Sequence, residues 1–433
     1  MKKKILERGS KMKEKLEKMG IVMPEGFSAG FCRKVVNPVE PIGLGGYGSE
    51  AKRVSLDIMD DICVSVTALW DGENVVIFIS SDTLHTGYAV YERAAKDLEE
   101  KFGIAKEYII FNSTHTHAGP SVHRGVACPG LDAYAPIYYG GILEATEEAL
   151  RDLAPAQAFI GSTDTRELNY VRRYISRKDG SYLGNWLSPS LSMEEARHET
   201  SADERLQTIR FARDGKKDIV MVNWQCHPCS PHVAGELGTK ISPDWVATMR
   251  KFAEEKLPDA HVVYHQGACG NLISGTGLLN EKSNTDYKRK GRELAYFICQ
   301  ALQENRPVET GKIRLICEKI HYKLGKEWKE KSGEKADTYS MQLTTLAIGD
   351  LAFATVPCEW HDTCGRSVRE ASPFKMTFIH GYTNGANRYI PAAFCWNNGG
   401  YEVKSCFFEC GTGEKLARHH IDKLWELYKE ASK

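Results

Sequence analysis

The segment Tyr108-Ile-Ile-Phe111-Asn-Ser-Thr-His115-Thr-His117-Ala-Gly119-Pro120 constrains this chain more than any other. Its apolar opening reads as a buried strand. Gly119-Pro120 rules out a continuing helix and turns the chain, so the polar residues between fall at a strand end. Side chains on an extended backbone repeat every two residues, so His115 and His117 are expected on one side of that rim. Neutral imidazole is a common metal ligand near pH 7. Two polar side chains satisfied by hydrogen bonds at a strand–loop junction would explain the pair equally well. The rest of the sequence has to decide.

Around this segment strands and helices alternate, with hairpins mixed in. Hairpins are expected at 62–69 with 75–80, at 206–211 with 218–224, and at 343–346 with 351–355. Helical periodicity covers 89–102, 138–153, 243–256, 363–371 and 414–429, and 260–264 reads as a further strand. Such an order predicts an α/β fold, a single compact domain with mixed β-sheets and flanking helices. A peripheral, charged N-terminal helix over 1–20 precedes a domain spanning 21–433. No repeat, low-complexity tract or Pro/Gly/Ser-rich linker divides the 433 residues.

Composition excludes several classes of function. Lys+Arg and Asp+Glu both number 57, so no net charge draws the protein to nucleic acid or to an anionic membrane. The lysine-rich start has no apolar stretch behind it, so it does not read as a secretory signal. No segment approaches the roughly 18 apolar residues of a membrane span, so no stable membrane insertion is expected. Thirteen cysteines at scattered spacing do not form a disulfide framework, and reduced thiols in the cytoplasm account for them. Cys226-His227-Pro228-Cys229 has redox-motif spacing but lacks the βαβ context that such a motif needs.

Four other segments end an apolar run in a polar or Gly/Pro-rich junction: Asn223-Trp-Gln-Cys-His227-Pro228, His265-Gln-Gly-Ala-Cys269-Gly270-Asn271, Val356-Pro-Cys-Glu359-Trp360 and Gly381-Tyr-Thr-Asn384-Gly-Ala386-Asn-Arg-Tyr389. Together with Thr114-His-Thr-His-Ala-Gly-Pro120 and the Gly43-Leu-Gly-Gly-Tyr47-Gly48 loop, they resemble the neutral/alkaline ceramidase family, zinc amidases that hydrolyse the N-acyl bond of ceramide. The resemblance runs over nearly the whole chain. The Thr-His-Thr-His-x-Gly-Pro stretch is its most specific element. In the last segment the first of two family tyrosines is replaced by Ala386.

The resemblance implies zinc ligands at His115, His227, Glu359 and Tyr389, with Tyr389 alternatively serving as a hydroxyl donor to a developing oxyanion. Two imidazoles, a carboxylate and an open position also suit a catalytic rather than a closed structural zinc site. The resemblance further implies a proton-shuttle or oxyanion role for His117. Arg172 matches a family arginine near the substrate, or is a surface charge at a strand end. His123, in the polar insertion His123-Arg-Gly-Val-Ala-Cys128-Pro-Gly-Leu-Asp132, is expected to line the pocket. Asn271 and Ser274 are expected there as well.

Two departures shape the functional expectation. The position of the family's nucleophilic serine holds Ile273, and Ser274 lies one residue late, facing the other way unless a bulge restores it. Cys269 offers a thiol, but sequence places no base beside it. The economical mechanism is therefore attack by zinc-activated water. The family's secreted members also carry an export signal and a C-terminal β-sandwich, and neither is visible here. The expectation is a cytoplasmic, zinc-dependent amidohydrolase acting on a small soluble molecule rather than on ceramide. The alternatives are a zinc Lewis-acid isomerase or lyase on a polar metabolite and a non-catalytic metal-containing binding protein. Assembly into a homo-oligomer stays open.

Overall fold

The computed structural model describes residues 9, 12–48, 52–122, 128–185, 192–229, 238–274 and 286–431. Strands such as Val75–Ser81 and Asp218–Trp224 are buried along nearly their whole length. Strands apolar on both faces belong between two covering layers. They form a nine-stranded mixed sheet in the order Ala260–Gln266, Asp218–Trp224, Arg205–Arg213, Ala154–Asp164, Ser28–Val35, Cys63–Trp70, Val75–Ser81 and Ile109–Ser113, with Arg306–Val308 also paired to Ala154–Asp164. The sheet curls until its two ends touch. Gln266 N donates to Asn112 Oδ1 at 2.9 Å, and Ser80 Oγ donates to the Tyr264 carbonyl at 2.6 Å.

A second sheet of four strands, Ile313–Lys323, Thr338–Ile348, Leu351–Thr355 and Met376–His380, lies against the first. The two-residue period of each strand sorts its side chains between the layers. Val76 and Phe78 join Ile209, Met221, Phe353 and Phe378 in the core between the sheets. Val75, Ile77 and Ile79 face the helices Tyr88–Phe102 and Leu131–Arg151 instead. Val220 and Val222 likewise meet the helices Trp245–Lys256 and Tyr287–Ala301. On the far side Leu343, Ala347 and Ala354 pack with Asp362–Ala371 and Thr412–Ala431. The result is four layers: helices, sheet, sheet, helices.

The three expected hairpins are present and antiparallel. The helix read from residue 138 begins at Leu131 and accommodates Pro136. Met12 and Leu16 are buried in the same core as the helices Tyr88–Phe102 and Leu131–Arg151, so the N-terminal helix, expected at the periphery, is tied down by these two side chains. No described helix is long and apolar enough to cross a membrane.

Candidate metal centre

The carboxyl ends of parallel-paired strands meet at one place, the usual location of sites in such sheets. His115 follows Ile109–Ser113, which runs parallel to Val75–Ser81. His227 and Cys269 follow Asp218–Trp224 and Ala260–Gln266, also a parallel pair. The short strands Cys358–Trp360 and Asn387–Ile390 set Glu359 directly opposite Tyr389. Tyr382 follows Met376–His380.

His115 and His117 do come together, with ring centroids 4.9 Å apart, but not for the reason expected from strand periodicity. The strand ends at Ser113, and His115 has φ +66°, a left-handed conformation. That turn lets His115 Nδ1 reach the Leu84 carbonyl at 2.7 Å. Tyr382 is also left-handed, with φ +44°. Two such non-glycine residues at one centre are backbone strain of the kind that collects at functional sites.

The hydrogen bonds fix what the centre presents. Like His115, His227 has its Nδ1 against a carbonyl, that of Leu272 at 2.7 Å. A carbonyl only accepts, so each ring carries its proton on Nδ1 and turns a bare Nε2 lone pair inward. His227 Nε2 lies 2.8 Å from Glu359 Oε2, and His115 Nε2 lies 3.6 Å from the same oxygen. Burial, with Arg172 behind it, pushes His227 down to about 4, so a second proton on this ring is disfavoured near neutral pH. Burial works against the Glu359 charge, yet the His115 and His227 rings hold its carboxyl well below the usual range. The two inward-facing ring nitrogens and the Glu359 carboxylate thus converge, with His227 Nε2 at hydrogen-bond distance from Glu359. Two imidazole nitrogens and a carboxylate this close together fit a cation, with the two carbonyls orienting the rings.

Two phenols and a guanidinium complete the surroundings. Tyr382 donates to Glu359 Oε1, and Tyr389 also hydrogen-bonds Glu359. Burial first, and then the Glu359 charge, raise both phenols well above 10, so each keeps its proton. Arg172 is buried rather than being a surface charge. It donates to the Tyr389 hydroxyl at 3.0 Å and to Glu402 at 2.9 Å. Glu402 also takes Arg173 at 2.9 Å and the Asn185 amide at 2.7 and 2.6 Å. Burial raises the Glu402 carboxyl, but Arg172 above all overrides it and holds the group at about 2.

Glu402→Gln is expected to destabilise the fold by about 3–5 kcal/mol near neutral pH, because it takes the carboxylate from buried Arg172 and leaves Arg173 with Glu199 alone. A depressed carboxyl contributes stability that is present above its ordinary value of 4.5 and lost as pH falls towards 2. The gap between wild type and variant should therefore narrow over that interval. Denaturant midpoints at pH 7 and pH 3 measure it, and an equal gap at both pH values would contradict this role.

The glycine-rich loop explains how His117 is held. Gly46 has φ +110°, and a Cβ there would lie 2.7 Å from the His117 ring. Arg53 donates to the His117 carbonyl at 2.6 Å, and the Tyr47 ring sits 5.0 Å away. His117 Nε2 is 3.3 Å from His115 Nε2. Burial and the neighbouring His115 and His227 keep His117 well below 6.5 and neutral. Ser274 pairs regularly with Asn169 with no register shift, and its Oγ accepts from Lys290 Nζ at 3.0 Å. No bulge returns it to the serine register. Asn271 is turned to Asp362, donating to Oδ1 at 2.7 Å and accepting from its backbone N at 2.9 Å. His123 lies outside the described residues.

Sequence reasoning missed Tyr382 and Glu402. Tyr382 stands within the quoted Gly381-to-Tyr389 segment, where a tyrosine reads as core. Cys269, noted only as a thiol, has its Sγ with ring nitrogens of His115 and His227 in a group whose atoms all lie within 4.8 Å of one another.

Fold and site together define a layered α/β protein with a candidate metal centre at its strand ends. The family model described as neutral/alkaline non-lysosomal ceramidase, N-terminal, matches residues 37–276, and the chain belongs to that family of hydrolases. Among solved structures it is similar to the neutral ceramidase from Pseudomonas aeruginosa, at 15% identity and TM-score 0.76, covering 94% of this chain and 75% of that one. A ceramidase complexed with C2 gives 14% identity and TM-score 0.75, covering 94% and 76%. At such identities these likenesses speak for the fold.

Proposed function

We propose that the protein is a zinc-dependent amidohydrolase that cleaves an amide or related acyl bond of a small, polar, soluble substrate. The observation that carries this is the convergence of the His115 and His227 Nε2 atoms on the Glu359 carboxylate, each ring oriented by a carbonyl on its Nδ1. Zinc held there, with Tyr389 beside it, would polarise a carbonyl and lower the pKa of a bound water to about 7. Around it, Glu359 supplies the negative charge and Tyr382 keeps its carboxylate turned inward. The Tyr389 hydroxyl, held by Arg172, would exchange its bond to Glu359 for one to an oxygen that gains charge. His117, neutral and beside His115, is placed to receive a proton and return it to the leaving amine.

The hydrogen-bonding heads of His117, Arg172, Tyr382 and Tyr389 suit a polar acyl compound better than an alkyl chain, and zero net charge gives no pull towards an anionic surface. Thirteen cysteines, none of them in a disulfide, support placement in a reducing compartment. With zinc supplied, kcat/KM for a soluble short-chain N-acyl amine is expected to exceed that for micellar long-chain ceramide. Cleavage of ceramide with none of soluble acyl compounds overturns the substrate reading. Inertness towards both favours the second reading, Lewis-acid isomerisation or lyase chemistry, for which Ile273 in the serine position speaks.

A further inference from the structure

The carried-over ligand set leaves one buried thiol beside the centre without a role. Cys269 is 1% exposed and follows the strand Ala260–Gln266. Its Sγ lies within 4.8 Å of ring nitrogens of both His115 and His227. The turn that carries it is fixed. Leu272 N donates to the Cys269 carbonyl at 2.8 Å, and Gly270 N donates to the Trp360 carbonyl at 2.7 Å. A Cβ on Gly270 would come within 2.6 Å of the Glu359 carbonyl, so only glycine lets this turn lie flat on the strand bearing Glu359. The backbone that positions the thiol and the backbone that positions the carboxylate are therefore one packed unit.

Around zinc, nitrogen bonds of about 2.0–2.1 Å and a sulfur bond of about 2.3 Å put tetrahedral ligand atoms roughly 3.3–3.6 Å apart. A limit of 4.8 Å leaves on the order of 1 Å to close, within reach of a small turn about the Cys269 side-chain torsion. We propose that Cys269 is a thiolate ligand of the metal centre, joining His115 and His227 in a sulfur-containing donor set to which Glu359 adds an oxygen, zinc's capacity for a fifth ligand leaving room for the water of the proposed reaction. On metal entry the S–H bond breaks, a sulfur–metal bond forms, and the proton leaves to solvent. A sulfur donor biases the centre towards zinc and away from magnesium, calcium or manganese. This inference rests on the metal reading above, and the experiment separates the two.

Protein stripped with a chelator is titrated with Co(II), a spectroscopic stand-in for zinc. Wild type is expected to bind one equivalent with an intense sulfur-to-cobalt charge-transfer band in the near ultraviolet. Cys269→Ser and Cys269→Ala are expected to bind cobalt without that band, and to bind zinc at least about ten- to a hundredfold more weakly. Circular dichroism and thermal unfolding of the metal-free variants check that both fold. Cys226→Ser and Cys229→Ser should keep the band. Cobalt bound to wild type without the band, or a band that survives in Cys269→Ser, overturns the thiolate and leaves the metal reading intact. No cobalt bound to wild type overturns both.

Discussion

Glu359→Gln is expected to keep the fold, lose most of the metal and lower kcat/KM on the order of a thousandfold or more, the several kcal/mol that metal stabilisation of a transition state supplies. The substitution is informative because glutamine keeps the shape and the hydrogen bonds of Glu359 while removing its charge. Its Nε2 can occupy the Glu359 Oε2 position and donate to His227 Nε2, which lies 2.8 Å away. Its Oε1 can still accept from Tyr382. The hydrogen bonds to His227 and Tyr382 survive while the negative charge is lost, so the metal-free variant should fold like metal-free wild type. Elemental analysis, thermal unfolding in chelator and kcat/KM together test this. A variant that keeps a full equivalent of zinc and wild-type activity would show that Glu359 is not part of the centre.

The candidate metal ligands were legible because their positions lie in short segments that end strands, and each segment names a residue type that binds metal. What sequence could not supply was the geometry that makes them a site. His115 and His117 meet through a left-handed turn at His115, not through strand alternation, and nothing in Thr-His-Thr-His announces a positive φ. Tyr382 donates to Glu359 from a different strand end, 23 residues on, and a tyrosine in an apolar context reads as core. Glu402 is more distant still. Its partners Arg172, Arg173 and Asn185 lie more than two hundred residues away in sequence, so only the fold reveals the network. In the architecture, central strands such as Val75–Ser81 were read correctly because burial on both faces makes them continuously apolar. Ile313–Lys323 was not, since this edge strand is half-exposed and mixes isoleucines with charged residues, a pattern that fits no single period well.

Replacing His117 with alanine is expected to cost on the order of a hundredfold or more in kcat, whereas Ser274→Ala should retain most activity, with zinc content unchanged in both. His117 does not depend on its side chain for its place. The backbone is held by Arg53 on its carbonyl and by Pro228 O, which accepts from its N–H at 3.0 Å. Removing the imidazole therefore takes away a proton carrier beside His115 with little disturbance of the turn. Ser274 has the opposite character. Regular pairing with Asn169 and a bond from Lys290 Nζ give it a structural task, and Ile273 stands in the register where a nucleophile would be. Losing a hydrogen bond from a charged donor costs about 1.5–3 kcal/mol, so Ser274→Ala should appear in the melting temperature rather than in turnover. Metal-loaded enzyme assayed at saturating substrate separates the two effects. Near-total loss in Ser274→Ala, matching that of His117→Ala, would establish the serine as nucleophile and remove the water mechanism, while His115, His227 and Glu359 would keep their role as ligands.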